Sequence, residues 1–106
     1  MSDYPTNAQL KAIRTGTGTF RDLWLLVTEL WHWPEWGVRQ GAIEGIDYLE
    51  LHTGGWSGNE EIIQALERSK SKFFFFFHTK WERGGHYYFE VKLDLWDMNP
   101  SVRKDK

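Results

Sequence analysis

The sequence contains no cysteine, and that absence excludes two common ways of holding a small fold together. Disulfide bonds and thiolate metal sites both require cysteine, so the packing of a core must supply the stability. A chain without disulfides suits a reducing compartment, and no apolar signal-peptide segment is visible in MSDYPTNAQLKAIR. We therefore expect a protein of the cytoplasm.

Long hydrophobic runs and an excess of one charge are also missing. The longest apolar run, Phe73–Phe77, is much too short to cross a bilayer. The formal net charge is −2 and the isoelectric point is near 6.1, so the chain has no general attraction for nucleic acid. These two features argue against membrane insertion and against nucleic acid as a partner.

Aromatic residues are abundant instead. They make up 17% of the 106 residues, with seven Trp and seven Phe, so a few buried rings can supply much of a small core. The length fits a single globular domain over residues 1–106, with a polar and frayed tail at about 98–106. Some rings can also belong to a contact surface, because Trp and Tyr are enriched at interfaces.

Two helices are predicted in the first third of the chain. Thr6 and Gln9 have the spacing of a capping box and start a short helix. Thr19 caps a second helix, predicted from Phe20 to Trp33 by its apolar spacing and ended by Pro34. The glycine- and tryptophan-rich segment 34–45 stays unassigned, as an irregular connector.

The rest of the chain alternates between strand and helix patterns. In IDYLELHT, Leu49, Leu51 and Thr53 share one face of a strand, and the residues between them share the other. A helix is predicted from Gly58 to Ser69. The segment KFFFFFHTKWERGGHYYFEVKL then predicts two strands around a glycine turn.

The pattern of charge indicates the register of this hairpin. A loop of Arg83, Gly84 and Gly85 places three pairs opposite each other, namely Glu82 with His86, Lys80 with Tyr88, and His78 with Glu90. The predicted order is therefore helix, helix, strand, helix, strand, strand, in an α+β fold. Its helices would pack on one face of a three-stranded sheet. A crossover through the third helix would bring the two glycine-rich corners to the same end.

The first corner, HTGGWSGNEEI, has two interpretations. Neither a P-loop nor a nucleophile elbow fits, because Asn59 and Glu60 follow the last glycine. Ser57 and Glu60 have capping-box spacing, which favours a helix start over a ligand loop. Trp56 is either a lid on the core or an exposed binding anchor. We assign no catalytic residue and no cofactor.

The second face of the predicted sheet carries histidines, carboxylates and rings. The candidate metal ligands are His52, His78, His86 and Glu90, although none lies in a metal motif and a solvated face with weak ion pairs is the simpler interpretation. The predicted rings on this face are Phe74, Phe76 and Tyr88. If they are exposed, they form a partner or oligomer interface, and if helices or connectors cover them, they do not.

Two motifs together resemble a known group of proteins. LELHTGGWSGNEEII at 49–63 and RGGHYYFEV at 83–91 are similar to segments of small proteins encoded by bacteriophages and prophages of actinobacteria and other bacteria. The resemblance implies a viral origin and expression in a bacterial host cytoplasm, but no particular activity. The matching positions are Thr53, Gly54, Gly55, Trp56, Ser57, Asn59, Glu60, Arg83, Gly84, Gly85, His86 and Tyr87.

The functional prediction follows from the two corners. A rim at one end of the sheet would present Trp56, Ser57, Asn59, Arg83, His86 and Tyr88. We expect a phage accessory protein that binds a host or phage protein and is not an enzyme, with a homo-oligomer also open. The alternative is a protein that binds a small anion or nucleotide, or a small enzyme, at the TGGWSGN loop and the RGGH turn. A structural component of the virion is a third possibility.

Overall fold

The computed structural model describes residues 4–16, 18–43 and 46–97, and the predicted tail at 98–106 lies outside these ranges. The elements are α1 Asn7–Thr15, α2 Phe20–Leu30, α3 Pro34–Gly37, β1 Val38–Ile43, β2 Ile46–His52, α4 Ser57–Glu67, α5 Phe73–Phe77, β3 His78–Glu82, β4 His86–Glu90 and α6 Leu93–Trp96. The predicted α+β class is confirmed. Within the described ranges, no helix combines the length and the apolar character needed to cross a membrane.

The sheet is antiparallel, with the strand order β1-β2-β4-β3. It therefore has one strand more than the three predicted. Because β2 and β3 each pair antiparallel with β4, they run in the same direction without being neighbours. The last strand of the chain lies between the two strands that α4 and α5 connect.

The extra strand comes from the segment left unassigned. Residues Pro34–Gly37 form α3, and β1 then pairs with β2 from Val38 opposite Leu51 onward. The sequence VRQGAI has little of the alternation that predicts strands, so pairing with β2 decides its conformation. Gly41 allows close packing, since a Cβ there would lie 3.2 Å from the Tyr48 ring.

The run of five phenylalanines is helical, so its prediction as a strand was wrong. Phe73 and Phe77, four positions apart, are both buried, whereas Phe75 is 79% exposed. A run of identical apolar residues has no period of its own, so the sequence cannot distinguish helix from strand there. The hairpin register holds at Glu82–His86 and Lys80–Tyr88, but a bulge then shifts His78 opposite Phe89 instead of Glu90.

The predicted capping box at Thr6 and the predicted N-cap at Thr19 are both present. Thr6 with Gln9 and Thr19 with Asp22 each form both of the expected hydrogen bonds. The predicted Ser57–Glu60 box is wrong, because Trp56 is the N-cap of α4 and no side chain caps it. The second helix also ends earlier than predicted, at Leu30, and Pro34 occupies the first turn of α3 rather than ending α2.

The core lies between the helices and one face of the sheet, as predicted. The sheet contributes Leu49 and Leu51 of β2, Thr53 just after β2, and Phe89 of β4, all of which are buried. The helices contribute Leu10, Ile13, Phe20, Leu23, Trp24, Val27, Ile62, Ile63, Ala65, Leu66, Phe73, Phe77 and Trp96. The opposite face of β2 and β4 carries polar and aromatic side chains, and it positions the candidate site.

Candidate functional site

The two glycine corners meet at one end of the sheet. The backbone N–H of Thr53 donates to the carbonyl of Gly85 over 3.0 Å, one step beyond the paired residues His52 and His86. Gly85 has a φ of +82°, and a Cβ there would collide with Oγ1 of Thr53. Only glycine accommodates both the conformation and the contact, so the corners depend on this residue.

Asn59 ties the first corner to the end of α2. Its side-chain oxygen accepts from the backbone N–H of His32 over 2.9 Å, and its amide donates to the carbonyls of His32 and Thr53. The side chain is buried, so these bonds satisfy groups that water does not reach. Asn59, predicted as a binding residue, is therefore a structural clamp.

Four rings in successive contact lie beside this clamp, with the His32–Trp56 pair stacked. We call Tyr4, Trp56, His32 and Trp33 the aromatic ladder, because successive ring centroids are 4.8, 4.4 and 4.6 Å apart. Trp56 is half-buried in the middle of it, intermediate between the predicted lid and the predicted anchor. Ser57 hydrogen-bonds the hydroxyl of Tyr4 over 3.0 Å at the exposed end, where the sequence predicted it to cap α4.

Trp33 is the most unusual residue of the aromatic ladder. Its side chain is 60% exposed, and its backbone has φ 59° and ψ 58°, in the left-handed region. A bulky residue rarely adopts this conformation, which costs on the order of 1–2 kcal/mol. The conformation turns the chain from α2 into α3, and it leaves the indole on the surface beside a depression of about 270 Å³.

On the outer face of the sheet, a chain of hydrogen bonds joins three side chains. Glu50 is 2.9 Å from Nε2 of His52, and Nδ1 of His52 is 2.7 Å from Nδ1 of His86. An ionised carboxylate only accepts hydrogen bonds, so Nε2 of a neutral His52 carries the proton and its Nδ1 accepts from His86. This order leaves a lone pair on Nε2 of His86.

These three residues line a depression of about 360 Å³ with Trp36, Arg39 and Tyr48, and we call the six residues the histidine pocket. The Trp36 ring lies edge-on to His52, with centroids 6.2 Å apart. Trp36 also lies over Gly54, where a Cβ would come within 3.0 Å of its ring. The first corner therefore contacts the Trp36 ring, which lines the pocket.

Tyr88 lies farther along the same face. Its hydroxyl donates to Glu82 over 2.7 Å, and Lys80 lies 4.8 Å above the centre of its ring. The hydrogen bond from Tyr88, followed by that from Lys80, lowers the pKa of Glu82, and the same bond raises the pKa of Tyr88. Tyr88 is thus held by its neighbours on the exposed hairpin.

The structure does not unite the predicted rim. Trp56 packs in the aromatic ladder, His86 pairs with His52 in the histidine pocket, and Arg83 is exposed in the β3–β4 turn. Phe74 and Phe76 are half-buried against the core, so the alternative in which these rings are covered applies, and they form no exposed patch with Tyr88. The exposed rings are instead Tyr4, Trp33, Trp36, Phe75 and Trp81.

Of the predicted metal ligands, His52 and His86 meet in the histidine pocket, but His78 does not join them. The bulge in β3 turns His78 to the inner face, where its ring contacts Phe74 and Phe89. Desolvation by burial lowers the pKa of His78. In the described part of the chain, no three His, Cys, Asp or Glu side chains are placed to hold a metal ion.

Two residues of the histidine pocket were missed by the sequence analysis. Trp36 and Arg39 lie in the segment whose conformation was left open, so no strand parity could place them on the outer face. The sequence does place Glu50 and His52 together, because they are two positions apart on one predicted strand and therefore share a face.

Comparison with protein-family models, with curated proteins and with solved structures gives no match to this chain, so the geometry of these two surfaces carries the functional argument.

Proposed function

We propose that this chain is a small bacteriophage or prophage accessory protein that binds a host or phage protein in the bacterial cytoplasm. The aromatic ladder is its contact surface. The single observation that carries the proposal is Trp33, an exposed indole on a backbone in the left-handed region. Strained residues of this kind cluster at functional sites, and Trp and Tyr are the side chains most enriched among binding hot spots.

The surroundings of Trp33 suggest the chemistry of the partner. The depression beside it is also lined by Tyr4, Gln9 and Glu29, and Glu35 is exposed in the next turn of chain. An Arg or Lys side chain entering there would meet a carboxylate together with the faces of aromatic rings. Both attract a cation, by ion pairing and by the ring quadrupole. We therefore propose a basic segment of the partner as the occupant.

Affinity capture with matched tryptophan variants tests this function. We expect the wild-type chain to retain a protein from lysate of the bacterial host, and Trp33→Ala to lose it. Trp81→Ala is the control, because Trp81 is 55% exposed but lies on β3, outside the aromatic ladder. Equal retention by Trp33→Ala and Trp81→Ala would contradict the proposal, as would a captured protein that lacks a basic contact segment.

A second candidate function is the binding of a small anion or nucleotide. The TGGWSGN loop and RGGH turn suggested it, but Ser57 and Asn59 of that loop hold other parts of the chain. The observation that favours this function is the histidine pocket, where the Arg39 side chain and the His86 imidazole line one depression. A thermal-shift panel of anions and nucleotides tests it, with a shift abolished by Arg39→Ala as the expected outcome.

A further inference from the structure

The histidine pocket and a second large depression each contain one arginine, but among the residues that the structure describes only the arginine of the second depression is ion-paired. A depression of about 390 Å³ between α2 and the sheet is lined by Arg21, Trp24 and Leu25, among others. There, Nε of Arg21 is 2.7 Å from the carboxylate of Asp97. Arg39, in contrast, forms no hydrogen bond or ion pair through its side chain with any residue in the described ranges.

The reason is visible in the register of the sheet. Glu50 lies opposite Arg39 on the neighbouring strand, where opposite charges would normally pair. Its carboxylate instead binds Nε2 of His52 over 2.9 Å. Because the Glu50 carboxylate is hydrogen-bonded to His52, it does not pair with Arg39. The Arg39 guanidinium can therefore bind an external anion. A guanidinium binds phosphate in bidentate fashion, with strong charge-assisted hydrogen bonds.

The hydrogen bonds that join Glu50, His52 and His86 also determine which polar ligand groups the pocket can bind. When both imidazoles are neutral, Glu50 accepts from His52, His52 accepts from His86, and Nε2 of His86 is an acceptor. Glu50 has a second carboxylate oxygen that also accepts. A ligand that satisfies the pocket therefore carries N–H or O–H donors in addition to an anion.

Two aromatic side chains define the remaining walls. Trp36 is half-exposed on one side, and Tyr48 lies over Gly41 on β1. Flat rings of this kind stack on planar bases. The volume of about 360 Å³ falls in the range of small-molecule sites.

We propose that the histidine pocket binds a nucleoside monophosphate, with the phosphate on Arg39, the base against Trp36, and donor groups of the ligand on Nε2 of His86 and on Glu50. A nucleotide combines the three features that the pocket selects, namely a phosphate anion, a planar ring and N–H or O–H donors. The inference rests on the second candidate function, small-ligand binding, and is independent of the aromatic ladder.

Calorimetric titration of the full chain with three probes tests this inference. The probes are adenosine 5′-monophosphate, adenosine and inorganic phosphate. We expect saturable binding of the monophosphate, with adenosine and phosphate each at least about tenfold weaker because each lacks one of the two anchors. Arg39→Ala should weaken binding of the monophosphate about tenfold to a hundredfold. Trp36→Ala should weaken it about tenfold.

Arg83→Ala is the matched control, because Arg83 is exposed in the turn outside the pocket and its loss should leave binding unchanged. Arg39→Lys keeps the charge but not the bidentate geometry, and it should bind between wild type and Arg39→Ala if the variants stay folded. Equal binding of phosphate and the monophosphate would overturn the nucleotide inference and leave anion binding intact. Full binding by Arg39→Ala would overturn the placement of the phosphate on Arg39. Failure of every probe would overturn the ligand-binding function as well.

Discussion

Two clusters of four rings in this molecule lie in opposite environments. In the first, Phe20, Phe73, Phe77 and Phe89 are fully buried, and Phe20 and Phe77 meet edge-to-face with centroids 4.8 Å apart. We call these four the phenylalanine cluster. In the second, the aromatic ladder, an imidazole lies between two indoles and the rings at both ends are exposed.

The contrast shows that ring content alone does not assign a ring to core or surface. The phenylalanine cluster is held by the burial of apolar area, with α2, α5 and β4 each contributing rings. The aromatic ladder is held by polar groups, mainly the three hydrogen bonds of Asn59 to His32 and Thr53. One cluster should therefore respond to loss of volume, and the other to loss of hydrogen bonds.

The largest expected effect is in the phenylalanine cluster. Phe73→Ala should lower the free energy of unfolding by about 3–5 kcal/mol, because it leaves a cavity among buried rings. Phe75→Ala, two positions away in the same helix, should change it by about 0.5 kcal/mol or less, because Phe75 is 79% exposed. Urea denaturation measures both. Similar losses for the two variants would contradict the helical assignment of Phe73–Phe77.

A smaller effect is expected at the clamp of the aromatic ladder. Asn59→Ala should cost about 2–3 kcal/mol of stability, because it removes two hydrogen bonds to the backbone of His32 and one to the buried carbonyl of Thr53. Ser57→Ala is the comparison, and it should cost about 0.5 kcal/mol or less because its bond to Tyr4 is exposed. A larger loss of stability for Ser57→Ala than for Asn59→Ala in urea denaturation would instead support the capping role that the sequence predicted for Ser57.

At Trp33, the expected effect comes from the backbone. Glycine tolerates a φ of 59° and alanine does not, so Trp33→Gly should be more stable than Trp33→Ala by about 1 kcal/mol. At Trp81, in the extended strand β3, the order should reverse, with alanine more stable than glycine. Thermal unfolding of the four variants measures this. The same order at both positions would indicate that Trp33 is not held in the left-handed conformation.

The smallest effect is a pH dependence at the edge of the phenylalanine cluster. Burial lowers the pKa of His78 from 6.5 in the folded state, so the unfolded chain takes up its proton at a higher pH. The contribution of His78 to stability is therefore complete above pH 6.5 and declines as the pH falls below it. The urea midpoint of the wild-type chain should therefore fall between pH 7 and pH 5, and the midpoint of His78→Gln should fall less over the same range. His32→Gln, in the aromatic ladder, should retain the wild-type fall, and an unchanged fall in His78→Gln would refute the assignment.

Local patterns predicted a good part of the fold. The predictions of a capping box at Thr6, an N-cap at Thr19 and the inward face of β2 were correct, because each depends on residues within a few positions of one another. The errors occur where a local pattern is absent or is compatible with more than one structure. Phe73–Phe77 has no period, and Ser57 has capping-box spacing but hydrogen-bonds Tyr4 across 53 positions of sequence.

The candidate site was predictable only in part. Its end of the sheet followed from the two glycine motifs, and His86 was named among its residues. Arg83 was named in place of Arg39, because β1 carries too little alternation to be predicted as a strand. Without β1, no argument from the sequence could place Arg39 opposite Glu50.

The sequence by itself determined the α+β class, the starts of the first two helices and which side chains of β2 face the core, since steric preference and period act over a few residues. Tertiary structure alone decided the strand order, the helix at Phe73–Phe77 and the meeting of His52 with His86, which are 34 positions apart. These depend on which surfaces pack together, because pairing a strand or burying a ring gains free energy only from partners distant in the chain. The aromatic ladder and the histidine pocket are both products of that packing.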